Sequence, residues 1–217
     1  MTIISPSILS CNFLKIQEEL DVFKNIDNLW FHLDVMDGHF VPNLTFGHPI
    51  IKQLCTATNK PLDAHLMVTN PEFYIDTLKD YGLHNLTFHV EATKEPLQLL
   101  KKTKKYFNSG GISIRPKTNI SDIDINLLKE IDLILLMSVE PGFGGQIFIE
   151  NTWQKLTELM MFKKNNNAHF QIQVDGGVNN KNSKKLIEQG VDNLVAGSFI
   201  FSRSPQDYSQ LVESLRN

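Results

Sequence analysis

The chain has 217 residues, 41% of them hydrophobic and 21% charged, with a formal net charge of −3, a balance that excludes a disordered chain. There is no basic tract, which argues against nucleic acid as a partner. The longest apolar run, Leu133–Met137, is too short to span a bilayer, and MTIISPSIL lacks the cationic start and apolar core of a signal peptide, so a cytoplasmic protein with reduced Cys11 and Cys55 is expected.

Residues 3–9 read as a first strand, after which Asn12 caps a helix with Phe13, Ile16, Leu20 and Phe23 on one face. The second strand begins at Trp30. Apolar Phe31, Leu33 and Val35 alternate there with His32, Asp34 and Met36, and Asp37-Gly38 breaks the run. A helix over 50–57 and a strand over 62–67 follow. Asn70 caps the next helix with Pro71 at its first position, and Gly82 ends it. The pattern continues with a strand at 86–90, a helix at 95–107, a strand at 112–115 entered through Gly110-Gly111, and a short helix at 122–129. The segment 133–139 is an almost unbroken apolar strand, as expected for a parallel strand covered on both faces. A helix at 152–164 and a strand at 170–174 lead to Asp175-Gly176-Gly177. Asn179 or Asn180 caps a helix to Gln189, a strand at 193–196 ends at Gly197-Ser198, and a final helix covers 205–215.

Eight strands thus alternate with eight helices, which calls for parallel pairing through crossovers. The length fits the lower end of the (β/α)8 barrel range, so the expected fold is α/β, a single (β/α)8 TIM barrel domain over 1–217. A doubly wound open sheet is the competing architecture.

In a barrel the chemistry collects at the C-terminal ends of the strands. Three His/acid pairs spaced two residues apart fall there: His32/Asp34, Asp63/His65 and His89/Glu91. Asp175, Ser7 and Ser10 join them. Two histidines and two carboxylates suit one divalent metal ion, Zn²⁺, Fe²⁺, Mn²⁺ or Co²⁺. Spacing does not choose among the pairs, and each also reads as a histidine held by a neighbouring carboxylate in the barrel rim. The glycines after the last three strands, Gly142, Gly144, Gly145, Gly176, Gly177 and Gly197, fit a backbone phosphate grip or merely tight turns. Met36, Met67 and Met137, near strand ends, read first as core filler and second as an apolar lid.

The motifs HLDVMDGHFVPNLTFG, DAHLMV, FHVEA, LLMSVEPGFGGQ, VDGGVN and VAGSFIF, in this order, resemble the ribulose-phosphate 3-epimerase family. The resemblance implies a metal-dependent isomerase interconverting D-ribulose 5-phosphate and D-xylulose 5-phosphate in the pentose phosphate pathway, as a homo-oligomer. It implies His32, Asp34, His65 and Asp175 as metal ligands, with Asp34 and Asp175 also transferring protons. Ser7, His65, Gly142, Phe143, Gly144, Gly145, Asp175, Gly176, Gly177, Gly197 and Ser198 would bind substrate. The His89/Glu91 pair matches a family motif but not a ligand position. Inverting a carbon beside a ketone removes a proton from one face and returns one to the other, which two carboxylates on opposite sides can do. A metal acting as a Lewis acid would stabilise the cis-enediolate between these steps.

The sequence departs from the family pattern in Arg115-Pro116-Lys117-Thr118-Asn119, where the family usually has Asn-Pro-x-Thr-Pro, and at Glu140, where it usually has asparagine or aspartate. These positions flank the mouth, and a solvated loop is the expectation for Arg115 and Lys117. An epimerase for a hexose such as D-allulose 6-phosphate is the nearest rival reading. A Schiff-base aldolase is disfavoured because no expected strand contains a lysine. A non-catalytic sugar-phosphate binder would not need both aspartates.

Overall fold

The computed structural model describes residues Met1–Asn217. Eight strands form one parallel sheet: β1 (Ile3–Pro6), β2 (Phe31–Met36), β3 (Leu62–Met67), β4 (Asn85–His89), β5 (Ser109–Ile114), β6 (Leu133–Met137), β7 (Gln171–Asp175) and β8 (Asn193–Ala196). Their order is β1-β8-β7-β6-β5-β4-β3-β2. Parallel bridges Ile4–Leu29 and Ser7–His32 join β1 to β2 and close the ring. The open doubly wound alternative is thereby excluded. Nine helices surround it: α1 (Ile16–Asp21), α2 (His48–Ala57), α3 (Pro71–Leu78), α4 (Pro96–Tyr106), α5 (Ile125–Glu130), α6 (Thr152–Asn166), α7 (Ser183–Glu188), α8 (Ser198–Phe201) and α9 (Tyr208–Ser214). No helix is long and apolar enough to cross a membrane.

The strand alternation sorts side chains between two compartments. Phe31, Leu33 and Val35 join the large apolar cluster that packs the sheet against the helices. Their neighbours His32 and Asp34 turn inward. In β6 both sets are apolar: Ile134 and Leu136 pack outward, while Leu133, Leu135 and Met137 form a separate inner cluster with Trp30 and Val139. The rest of the barrel interior is largely polar. Asp63 accepts from Asn85 Nδ2 at 2.6 Å and Gln173 Nε2 at 2.7 Å, and Ser5 donates to Asn193 Oδ1 at 2.7 Å. Each of these groups is fully buried, so pairing with one another offsets the cost of desolvation.

Several local expectations shift. Gly110 and Gly111 lie within β5 rather than before it, and both are crowded: a Cβ on Gly111 would stand 2.6 Å from Thr87 Oγ1 and 3.0 Å from the Leu133 carbonyl oxygen, and one on Gly110 2.8 Å from Lys104 Cγ. The helix expected at 122–129 begins later, at Ile125, after a 3-10 turn over Ile120–Asp122. Neither Asn179 nor Asn180 caps α7. Asn182 occupies that position, and the Asn179 carbonyl accepts from Asn182 and Ser183 N–H groups to form a preceding turn. Helix α8 was not expected at all. Asn12 and Asn70 do cap, accepting from the N–H groups of Leu14 and Phe73, although the element after Asn12 is a 3-10 turn that precedes α1.

Candidate active site

Strand register builds the site. The parallel pairing of β2 with β3 sets His32 beside Asp63 and Asp34 beside His65. At the end of β7, Asp175 reaches toward the same point. One ligand atom from each of His32, Asp34, His65 and Asp175 lies within 4.8 Å of all the others. His32 Nε2 is 3.5 Å from Asp34 Oδ1 and 3.8 Å from Asp175 Oδ2, and His65 Nδ1 is 3.4 Å from Asp34 Oδ1. Both imidazoles are fully buried, yet His32 Nε2 and His65 Nδ1 have no hydrogen-bond partner. Two orphaned nitrogens converging on carboxylate oxygens fit a divalent cation that would accept their lone pairs.

His32 and Asp34 are held from behind. His32 Nδ1 lies 2.8 Å from Asp63 Oδ2, the same carboxylate that Asn85 and Gln173 contact. Ser7 Oγ donates to Asp34 Oδ2 at 2.5 Å. Thr45 Oγ1 donates to the Asp34 carbonyl at 2.6 Å and accepts the Met36 N–H, so the β2 exit loop braces the strand end.

Electrostatics separates the two aspartates. Burial alone would raise the Asp34 carboxyl, but His32 and His65 beside it outweigh that cost and hold it well below the usual range. Asp175 is pushed up to about 7 by burial and then by the Asp34 charge. Burial likewise opposes charge on His32, but Asp34 and Asp63 raise its value well above that of an ordinary histidine.

Asp34 and Asp175 border one cavity at the barrel mouth. Ser7, Gly142, Phe143, Gly144, Gly145, Gly176, Gly177, Gly197 and Ser198 also line it. His65, expected to contact substrate, is fully buried, with Nδ1 3.4 Å from Asp34 Oδ1. Met36, Met67 and Met137 pack in buried apolar clusters, as core filler does, and also line the cavity. Gly176 has φ +120°, and a Cβ there would stand 2.5 Å from Val139 Cγ2, so this loop tolerates only glycine. The first residue of α8, Ser198, lies at the cavity, where barrels commonly use a short extra helix to hold phosphate.

Arg115 departs from expectation. Its Nη2 donates to the Phe40 carbonyl at 2.9 Å and its guanidinium lies 4.2 Å from the Phe40 ring centroid, so it anchors the β2 loop instead of being solvated. Lys117 is exposed, as expected of a loop residue. Neither lines the cavity, whereas Glu140 does. Asp63, a candidate ligand on spacing, stands behind His32 instead, and the sequence gives no role to its partners Asn85 and Gln173. The available signal was their period-two placement in otherwise apolar strands, on the same face as the ligands.

A model of the ribulose-phosphate 3 epimerase family covers residues 3–201. The chain belongs to the ribulose-phosphate 3-epimerase family. The ribulose-phosphate 3-epimerase of Mycobacterium leprae is 37% identical over 214 residues, covering 99% of this chain and 93% of that protein. That of Helicobacter pylori J99 is 38% identical, covering 99% and 96%. The chloroplastic enzyme of Arabidopsis thaliana is 38% identical over 216 residues, covering 99% and 76%. A tryptophan synthase α-subunit mutant of Pyrococcus furiosus superposes with a TM-score of 0.65 at 11% identity, covering 99% of this chain and 96% of that one, a likeness of fold alone. As a member of the epimerase family the chain is an isomerase of pentose phosphate metabolism, and its substrate is a sugar phosphate.

Proposed function

We propose that the chain interconverts D-ribulose 5-phosphate and D-xylulose 5-phosphate by moving the C3 proton between Asp34 and Asp175. The observation that carries this reading is the pair itself. Two carboxylates from β2 and β7 border one cavity and converge on His32 Nε2 from different strands, at 3.5 Å and 3.8 Å. An ionised carboxylate can take a proton from one face of C3 while a protonated one returns a proton to the other. For the reverse reaction their roles exchange.

Asp34 accepts from Ser7, which fixes the direction its carboxylate faces. The loops after β6, β7 and β8 bring backbone around the cavity, and glycines at 142, 144, 145, 176, 177 and 197 leave room for a phosphate. With the phosphate held at a distance from the reacting carbon, the C2 and C3 oxygens are oriented between the two aspartates. Met36, Met67 and Met137 keep water from the developing carbanion. His32, Asp34, His65 and Asp175 would hold one divalent ion, Zn²⁺, Fe²⁺, Mn²⁺ or Co²⁺, and it would supply Lewis-acid stabilisation of negative charge on the sugar oxygens. No lysine lies in any of the eight strands, so a Schiff-base route has no nucleophile there.

One domain, residues 1–217, carries the whole reaction in this reading. The pentose names of the relatives weigh against the hexose alternative. A homo-oligomer is part of the proposal, as the family resemblance implies. The proposed location is the cytoplasm, in line with the rice relative named as a cytoplasmic isoform.

The test is a coupled assay on metal-reconstituted protein with D-ribulose 5-phosphate and D-allulose 6-phosphate, each with and without chelator. Chelator-sensitive turnover that favours the pentose supports the proposal. Equal or better turnover of the hexose overturns the substrate assignment, and turnover indifferent to chelator overturns the metal requirement.

A further inference from the structure

Of the three His/acid pairs in the sequence, the metal reading leaves His89 and Glu91 unused. They stand in line behind His65. His65 Nε2 lies 2.9 Å from His89 Nε2, and His89 Nδ1 lies 3.1 Å from Glu91 Oε2. Both imidazoles are fully buried, so any partner of their ring nitrogens must come from the protein itself or from a bound ion. Ser113 Oγ, 3.4 Å from His89 Nε2, can rotate to suit either protonation pattern and imposes no direction.

The remaining contacts do have a direction. A carboxylate only accepts, so Glu91 takes a proton-bearing Nδ1 from His89. That leaves His89 Nε2 as a lone pair, which receives the Nε2–H of His65. His65 Nδ1 is then a bare lone pair, and this is the orphaned atom that faces Asp34 Oδ1. We propose that Glu91 is a positioning residue: through His89 it fixes the tautomer of His65 and presents Nδ1 as a metal donor. This rests on the metal reading above and extends it two residues outward. Backing groups of this kind orient ligand histidines in many metal sites.

Glu91 can impose the direction because its own orientation is fixed. Its second oxygen, Oε1, accepts from the Arg115 backbone N–H at 2.8 Å and from the Thr118 hydroxyl. A backbone N–H can only donate. In Glu91→Gln the amide oxygen therefore stays with Arg115, and the amide N–H turns to His89 Nδ1. Every downstream proton then reverses. His89 donates from Nε2, His65 accepts at Nε2, and His65 Nδ1 carries a proton into the metal position. Glu91→Ala removes the acceptor without installing a donor. The isosteric change should therefore harm metal binding more than the truncation, whereas a purely structural role gives the opposite order.

The experiment measures Zn²⁺ affinity of the parent protein, Glu91→Gln and Glu91→Ala by competition with a chromogenic chelator, with near-ultraviolet circular dichroism to establish folding. Long-range ¹H–¹⁵N spectra of ¹⁵N-histidine-labelled, zinc-loaded parent report the tautomers directly. We expect a loss of about 10- to 100-fold for Glu91→Gln, a smaller loss for Glu91→Ala, and protons on His89 Nδ1 and His65 Nε2 in the parent. A Glu91→Gln affinity within about twofold of the parent, a larger loss for Glu91→Ala, or a proton on His89 Nε2 overturns the proposal. If Glu91→Gln does not fold, the parent spectrum decides. A parent that binds no zinc overturns the metal reading and this inference together. A parent and Glu91→Gln that bind zinc equally overturn this inference alone.

Discussion

At the scale of single residues, two aspartates with the same side chain have opposite proton affinities because their surroundings differ. Asp34 has two imidazoles within reach of one oxygen and the Ser7 hydroxyl on the other. The nearest charged partner of Asp175 is His32 Nε2 at 3.8 Å, and the Asp34 charge opposes its ionisation. Replacing either with asparagine preserves an oxygen for a metal but removes the proton carrier. Each single variant, Asp34→Asn or Asp175→Asn, should lose about 10²- to 10⁴-fold in kcat when compared with the parent at saturating metal. In deuterated buffer each should still wash the C3 proton out of one epimer, and the two variants should act on different epimers. Exchange of both epimers by one variant would mean that a single base serves both faces.

At the scale of elements, the loops that exit the strands are tied to one another across the mouth. Glu91, after β4, holds the loop after β5 through Arg115 N–H and Thr118. That same loop is supported from below by Lys155 of α6, whose Nζ donates to the carbonyls of Arg115, Pro116 and Thr118 at 2.9, 2.8 and 2.5 Å. Asn43 of the β2 loop donates to the Gly142 carbonyl of the β6 loop at 2.7 Å. The Glu91 carboxyl is held down at about 2: burial works against this, and the bonds from His89, Thr118 and Arg115 overcome it. A carboxyl whose folded value lies below its unfolded value stabilises the fold fully above the unfolded value, about 4.5, and loses that contribution as pH falls toward 2. The stability difference between the parent and Glu91→Gln should therefore be constant above about pH 4.5 and shrink toward pH 2, as read by urea unfolding across that window. A difference that grows on acidification would contradict the assignment.

At the scale of the whole molecule, ligands from β2, β3 and β7 converge only when the ring is closed. Any ion that binds the folded site and not the unfolded chain must stabilise the barrel by mass action. At zinc concentrations about 100-fold above the dissociation constant the gain is about 2.7 kcal/mol, or roughly 5–10 °C in Tm for a chain of this size. Differential scanning calorimetry with graded zinc and with chelator checks this. His65→Ala should abolish the zinc-dependent rise, and an unchanged rise in that variant would remove His65 from the ligand set.

The order and type of elements were legible in the sequence because they depend on local pattern. Period-two alternation marks β2, an unbroken apolar run marks β6, and Asn70-Pro71 marks the start of α3. The family motifs likewise identified His32, Asp34, His65 and Asp175 without coordinates. Boundaries that depend on distant neighbours were not legible. Gly110 and Gly111 read as the entry to a strand, and only the approach of Lys104, Leu100 and Thr103 to the first and of Thr87 and Leu133 to the second explains why glycine occupies the strand itself. Arg115 read as solvated because nothing local signals a partner at Phe40, 75 positions away. Three His/acid pairs looked equivalent along the chain. Closure of the barrel made them unequal, because strand register decides which nitrogen faces the centre and which faces another side chain. Chain pattern specifies which face a residue occupies, but only tertiary structure decides what stands opposite it.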